Sequence, residues 1–488
     1  MMRLLILLIL SRGFISLTDA QEILSLKNAL EIARMESPEI QKARLNLTQN
    51  RELLIARRAS LKSSFRLSLT PFQYHNNRQY NETLSEWYNY ESMSSYGSFT
   101  VQQPIVLTDG TISLTNRLTY QDSESTSSFS GPPTSVFNNQ LSLRLNQPIF
   151  TYNRTKLELK ELEYNLENAE INYALQDLSL ERSVSSAFYQ VYEAQMALNT
   201  SREDFENRSE SLNIVQNKVD AGLVAREELF QAEVDWMTSR SNYQDREVEL
   251  ANLKDRFKQL LGLDLEQDLQ VKAEVNVNPV QVDLNDALDR ASGNRLELRQ
   301  RQIDIETGRF DMIRTNATNE FYGNIGVDVG LFGQDEELVN VFDQPTGNQT
   351  IGFSLEIPLW DWGEKKARKR AVEAAQHIRE INLEDERIRI ALSVRQLHRN
   401  LNNLLTQIEI AGKNLENAEL TYAINLEKYK NGDLTSMDLN LYQNQLTGKK
   451  TDLIRARISY KLELLNLKIQ TLYDYEASVS VVPEMQYY

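Results

Sequence analysis

Two hydrophobic periods alternate along this chain. Between Asn153 and Asp220, the residues Leu159, Leu162, Leu166, Ala169, Tyr173, Leu180, Val184, Ala187, Val191, Ala194, Leu198, Phe205, Leu212, Val215 and Val219 fall on alternating steps of three and four. Only Gln176, Ser201 and Arg208 break the series. That spacing is the seam one long helix presents to another. No proline interrupts the segment, so a single helix there would be about 100 Å long. A rod of that length lines a bundle, a coiled coil or a tube. After a turn at Ala221-Gly222 the chain returns as a second helix to Gly262. The same rhythm comes back at Val394, Leu397, Leu401, Leu404, Ile408, Ala411, Leu415, Ala418, Tyr422 and Tyr429, turns at Asn431-Gly432 and returns to about Leu472.

Two landmark pairs share one offset: 358 − 148 = 210 for the prolines and 432 − 222 = 210 for the turn glycines. The chain therefore reads as an internal duplication. Asn28-Ala29-Leu30 resembles Asp286-Ala287-Leu288 at an offset of 258, so the first copy carries 258 − 210 = 48 extra residues before Pro148.

Elsewhere the period drops to two. Phe65, Leu67 and Leu69 alternate with Arg66, Ser68 and Thr70. Phe99 and Val101, then Ile112, Leu114 and Leu118, then Leu141, Leu143 and Leu145 repeat the pattern, as do Ile325, Val327, Val329 and Leu331, and Ile351, Phe353, Leu355 and Ile357 in the second copy. Amphipathic runs of about ten residues are the mark of a membrane barrel or of a half-buried soluble sheet. Their position favours the barrel over the soluble sheet: all lie at equivalent places in a duplicated helical rod. Four to six strands cannot close a membrane barrel alone, so spanning a membrane would demand oligomers. Gln103-Pro104-Ile105 repeats as Gln147-Pro148-Ile149, and Thr108-Asp109-Gly110 supplies a hairpin turn. This hairpin either adds strands to the wall at the same rim or decorates the surface.

Composition narrows the function. With 10 prolines and 18 glycines in 488 residues, the chain is poor in helix breakers. A net charge of −16 argues against nucleic acid as a partner. No cysteine is present for thiolate chemistry, and His75, His377 and His398 lack metal-ligand spacing. Phosphate-binding loops and nucleophile elbows are missing too, so neither a cofactor nor an enzymatic activity is expected. Arg3, the apolar run Leu4 to Leu10 and Thr18-Asp19-Ala20 predict a signal peptide over residues 1–20.

The chain resembles the TolC family of outer-membrane efflux proteins over nearly all of its mature length. The resemblance rests on Lys218-Val219-Asp220-Ala221-Gly222-Leu223-Val224-Ala225 with Glu228, on its repeat Lys428-Tyr429-Lys430-Asn431-Gly432-Asp433-Leu434 with Asp438, and on the junctions Gln147-Pro148-Ile149-Phe150 and Ile357-Pro358-Leu359-Trp360. It implies an α+β membrane protein: a trimeric β-barrel in the outer membrane that continues into a periplasmic α-helical barrel built from two repeats. Repeat 1 would occupy residues 21–275, with helices at about 26–62 (broken at Ser37-Pro38), 153–220 and 223–262 and strands within 64–147. Repeat 2 would occupy 276–474, with helices at about 283–316, 363–430 and 433–472 and strands within 321–357; a tail follows at 475–488.

The resemblance further implies docking of a periplasmic adaptor, driven by an inner-membrane transporter of RND or ABC type, on a tip formed by Ala221, Gly222, Leu223, Asn431, Gly432 and Asp433. It makes Tyr429 and Glu228 a pore latch and Asp438 an acidic constriction. The family's latch arginine is replaced here by Leu434, with Arg226 as the substitute from the other copy. The rival reading is a periplasmic or surface coiled-coil scaffold without a pore.

Overall fold

The computed structural model describes residues 22–83, 85–127, 133–431, 433–434 and 436–483. The predicted signal peptide lies outside them. In chain order the elements are β1 (Glu22–Leu24), α1 (Leu26–Glu36), α2 (Pro38–Ser60), β2 (Ser64–Asn81), β3 (Glu86–Ile105), β4 (Gly110–Ser125), β5 (Thr134–Ile149), α3 (Arg154–Asp220), α4 (Arg226–Leu261), β6 (Leu269–Val271), α5 (Leu284–Asn294), α6 (Leu296–Asn316), β7 (Tyr322–Asp335), β8 (Thr346–Glu356), α7 (Glu364–Lys430), α8 (Ser436–Thr471), β9 (Tyr473–Asp474) and β10 (Val479–Ser480).

The duplication holds to the residue. Helices α3 and α7 have 67 residues each and begin 364 − 154 = 210 positions apart, while α4 and α8 have 36 each at the same offset. Helices α1 and α5 have 11 each at an offset of 284 − 26 = 258, which β2 and β7 share as 322 − 64. The chain forms two compact units, one from residues 22–45, 172–296 and 387–483, the other from 46–171 and 297–386.

The first unit holds a water-free core. The middle of α3 supplies Leu180, Val184, Phe188 and Val191, α4 supplies Phe257 and Leu261, and α8 supplies Ile458. Against them pack α1, β1 and β6. Phe188 meets Phe257 edge-on at 6.2 Å. The duplication extends inward: Val184 and Val394 are both fully buried, as are Phe257 and Leu467. Ser25 caps α1 by accepting the Asn28 N–H, and Asp283 caps α5 by accepting those of Asn285 and Asp286.

The opening helix 26–62 is broken at Ser37-Pro38, as expected, and the helix expected over 283–316 is broken as well. Ser37 precedes Pro38, which forbids the helical conformation before it. Arg295 makes the equivalent break with φ −65° and ψ 120° and no proline. Gly262 ends α4 at φ +79°, and a Cβ there would sit 2.3 Å from the Glu36 carbonyl oxygen, so conformation and close approach both demand glycine. Its counterpart Leu472 takes the same left-handed region at φ 50°. Residues 475–483 of the expected tail include β10, which folds back on β9.

The second unit is dominated by one antiparallel sheet of order β2-β3-β4-β5-β7-β8. Its six strands settle the fate of the 48 extra residues. Pro104 pairs with Thr111 and Thr111 with Asn146, beside Gln147, so the two Gln-Pro-Ile motifs share one end of the sheet and the β3–β4 hairpin is part of that sheet. The Thr108-Asp109-Gly110 turn also starts a helix: the Asp109 carboxylate accepts the backbone N–H groups of Arg154 and Thr155 at 3.2 and 3.1 Å. Asp361 serves α7 in the same way through Gly363 and Lys365.

Candidate functional site

The α3–α4 turn is built by backbone geometry. Gly222 has φ +72°, its N–H reaches the Val219 carbonyl at 2.9 Å, and the Leu223 N–H reaches back to Lys218 O at 2.8 Å. This closure satisfies the carbonyls a helix end leaves open. A Cβ on Gly222 would touch nothing within 4 Å, so the glycine answers a conformational demand and leaves the turn open to an incoming surface. The second turn repeats the closing bond, Asp433 N–H to Lys428 O at 2.9 Å, with Asn431 N–H on Glu427 O. Gly432 lies outside the described residues, as does the side chain of Tyr429. Ala221, Leu223, Arg226, Glu228, Asn431, Asp433 and Asp438 are exposed, and Leu223 stands 73% free. Glu227 and Glu228 occupy the first turn of α4 and Asp438 that of α8, where negative charge suits the helix dipole.

Reading the stripe alone missed what stiffens this hairpin. Arg208, an interruption in the apolar series, bonds Asp204 at 3.0 Å on its own helix and lies 3.8 Å from Asp235 on α4. Phe205 stacks on Tyr243 at 5.9 Å and meets Trp236 at 6.3 Å. Gln176, a second interruption, donates to Glu39 at 2.9 Å. Two of the three polar breaks in this seam, Gln176 and Arg208, thus reach across to another helix.

The sheet has two unlike faces. One row across its strands reads Phe65, Val101, Leu114, Leu143, Val329, Gln349, and the next two-residue step begins Leu67, Phe99 and continues through Leu141 and Leu331. The row one residue before the first reads Ser64, Gln102, Ser113, Arg144, Asp328, Thr350. Strand pleating puts these rows on opposite faces. On the polar face Arg144 bonds Asp328 at 2.8 Å and Arg117 lies over the Tyr96 ring at 4.0 Å. A groove of about 550 Å³, lined by Arg117, Gln121, Asn138 and Gln334 among others, lies on that face. The apolar face is bounded by aromatic pairs, Tyr120–Phe137 at 4.9 Å towards one end and Phe150–Phe321 at 5.6 Å at the other. No described helix is long and apolar enough to cross a membrane.

A family model for outer membrane efflux proteins matches residues 111–263 and 287–469. The chain belongs to the outer membrane efflux protein family. Among similar sequences, the outer membrane protein TolC of Salmonella enteritidis is 22% identical over 342 residues, 67% of each chain. An uncharacterized protein of Haemophilus influenzae is 23% identical over 307 residues, 62% of this chain and 64% of its own length. The chain thus spans about two thirds of these relatives. Solved structures agree over more of it. The Campylobacter jejuni CmeC outer membrane channel has a TM-score of 0.66 at 14% identity, covering 94% of this chain and 87% of that one. VceC of Vibrio cholerae has 0.65 at 12%, covering 93% and 96%. This efflux protein therefore has the α+β channel fold with two repeats that the resemblance implied, and its site is in the outer membrane.

Proposed function

We propose that three copies of this efflux protein join their sheets into one outer-membrane barrel of 3 × 6 = 18 strands, and that their helices form a periplasmic duct. Substrates pass through it passively, with no bond made or broken by the protein. The observation that carries this reading is the sheet itself: apolar on one face, polar on the other, and open at both edges. Lipid tolerates no open sheet edge, and six strands are too few for a membrane barrel, so closure needs further copies. From Phe137 to Ile149, β5 advances 149 − 137 = 12 residue steps, about 40 Å of strand; tilted by about 45° it covers a little under 30 Å, the thickness of the hydrocarbon layer. Aromatic girdles at both ends of the apolar band fit the same membrane frame.

At the far end of the helices, the exposed turns around Gly222 and Gly432 are the docking face for a periplasmic adaptor coupled to an inner-membrane transporter of RND or ABC type. Tyr429 and Glu228 latch the closed tip, Arg226 stands in for the family's arginine, and three copies of Asp438 around one axis favour cations there. Two tests address this reading. The protein extracted from outer membranes should run as a heat-modifiable trimer and open ion-conducting channels in planar bilayers, and a strain lacking it should retain dyes and toxic compounds that the parent expels. A salt-washable, non-conducting protein would instead support a scaffold.

A further inference from the structure

The two repeats meet twice, once inside a chain and once, in the trimeric duct just proposed, between chains. The first meeting is visible. Strand β5 has neighbours on both sides, but β4 accompanies it only to Asn146; Gln147, Pro148 and Ile149 are held by β7 alone, opposite Ile325, Asn324 and Gly323. Strand β8 holds the place of β5 in the second repeat. It stops at Glu356, the counterpart of Asn146 (356 − 146 = 210), where its one neighbour also runs out, at Tyr322. Ile357, Pro358 and Leu359, the counterparts of the three residues held by β7, carry no ladder, and Leu359 is 90% exposed. At the other edge, β2 holds the place of β7. Its Phe65, Leu67 and Leu69 are 65–70% exposed, against 42% and 48% for Leu114 and Leu143 on interior strands, so each lacks a neighbour on one side.

We propose that β8 of one copy pairs with β2 of the next in the register that β5 and β7 already use. Adding 210 to the first partner and subtracting 258 from the second carries the register over. Gln147 opposite Ile325 becomes Ile357 opposite Leu67; Pro148 opposite Asn324 becomes Pro358 opposite Arg66; Ile149 opposite Gly323 becomes Leu359 opposite Phe65; and Leu145 opposite Val327 becomes Leu355 opposite Leu69. In the three lipid-face pairs nearest the rim, Leu359–Phe65, Ile357–Leu67 and Leu355–Leu69, apolar then meets apolar up to the irregularity after Thr70, an agreement that a one-residue slip would destroy by turning the strand over.

A second feature supports the same register. Across the internal seam, Asn324 Nδ2 donates to Asn146 Oδ1 at 2.6 Å on the polar face. The transferred positions are Arg66 and Glu356, again a donor and an acceptor, now with opposite charges. Within one chain, Arg66 forms no ion pair with a described residue, while Glu356 accepts a hydrogen bond from the Tyr322 hydroxyl on its own sheet. The seam between copies thus replaces a neutral bond with an ion pair, so the two kinds of edge can be told apart during assembly.

The chain has no cysteine, so engineered pairs report the seam directly. Opposed residues have Cα atoms about 4.5–5.5 Å apart, within disulfide reach. Oxidised membranes carrying Leu67→Cys with Ile357→Cys should give covalent dimers and trimers on non-reducing gels. Leu67→Cys with Phe353→Cys, four residues out of register and about 13 Å away along the strand, should not. Cross-linking of the second pair but not the first overturns the register. Failure of both in a protein that still runs as a heat-modifiable trimer overturns the seam and leaves the duct standing, whereas a monomer in every case removes the duct as well. For the ion pair, Arg66→Glu should lose the detergent-resistant trimer band, and adding Glu356→Arg should restore it; no restoration overturns that assignment.

Discussion

The packed middle of the helical unit and the six-stranded sheet bury their apolar residues by opposite rules. Around Phe188 the chain closes on itself, with Phe188, Val184, Val191, Phe257 and Leu261 all out of contact with water in a single copy. In the sheet, Phe65, Leu67, Ile351 and Phe353 stand 60–79% exposed, and the polar side chains line the opposite face instead. The first region is folded for water. The second fits the proposed setting, with lipid on one side and further copies at its edges.

If that contrast is right, mutations should sort by region. The largest effect belongs to the closed core: Phe188→Ala should cost about 3–5 kcal/mol and be read as loss of the assembled protein from membranes. In the sheet, face should outweigh position along the chain. Leu143→Arg puts a charge on the apolar side and should destabilise the protein in lipid by about 2–4 kcal/mol, whereas Ser142→Arg, one residue away on the polar side, should leave heat-resistant trimers intact. Equal losses from both would erase the distinction between the faces.

Smaller still is the turn. Gly222→Val forces a side chain into the left-handed region at a cost of about 1–2 kcal/mol, too little to prevent assembly, yet compound export should fall to the level of the deletion strain. Loss of trimers instead would reduce the glycine to a folding element.

The smallest effect is a pH dependence in the helical unit. Burial pushes the Asp474 carboxyl up, but the Ala477 and Glu476 backbone N–H groups and the Lys468 ammonium outweigh it, and the group ends below the usual carboxylate range. A depressed carboxyl stabilises the fold above its unfolded value, about 3.9, and loses that contribution as pH falls through the folded value. Thermal stability should therefore drop below about pH 4, and Asp474→Asn should flatten part of that drop. Lys468 runs the other way. Burial lowers it, the Glu181 carboxylate more than restores it, and its raised value yields stability that disappears as pH climbs through the folded value in the alkaline range.

Much of this architecture was legible because its signals repeat. The three-four stripe of α3 recurs in α7, and the alternation of Leu141 to Leu145 recurs in Ile351 to Leu355, so each copy checks the other. What was hidden lacked a composition cue. The break at Arg295 has no proline, unlike its partner at Ser37-Pro38, and tertiary packing imposes it. Leu472 takes a left-handed conformation that only its counterpart Gly262 announces. Strands β1 and β6 are three residues long and pair in parallel across most of a repeat, too short for periodicity to register. At the candidate tip, sequence found the turns and their closing geometry, but a stripe of apolar letters could not show that Arg208 bonds Asp204 and sits near Asp235.

The central claim is that this sheet is one third of a closed wall. Cryo-electron microscopy of the protein extracted in detergent tests it most directly. The expected result is a particle with threefold symmetry, a wall of eighteen strands and an open lumen lined by the face that carries Arg144 and Asp328. A single copy whose six strands close on themselves, or whose apolar face packs against its own helices, would contradict it.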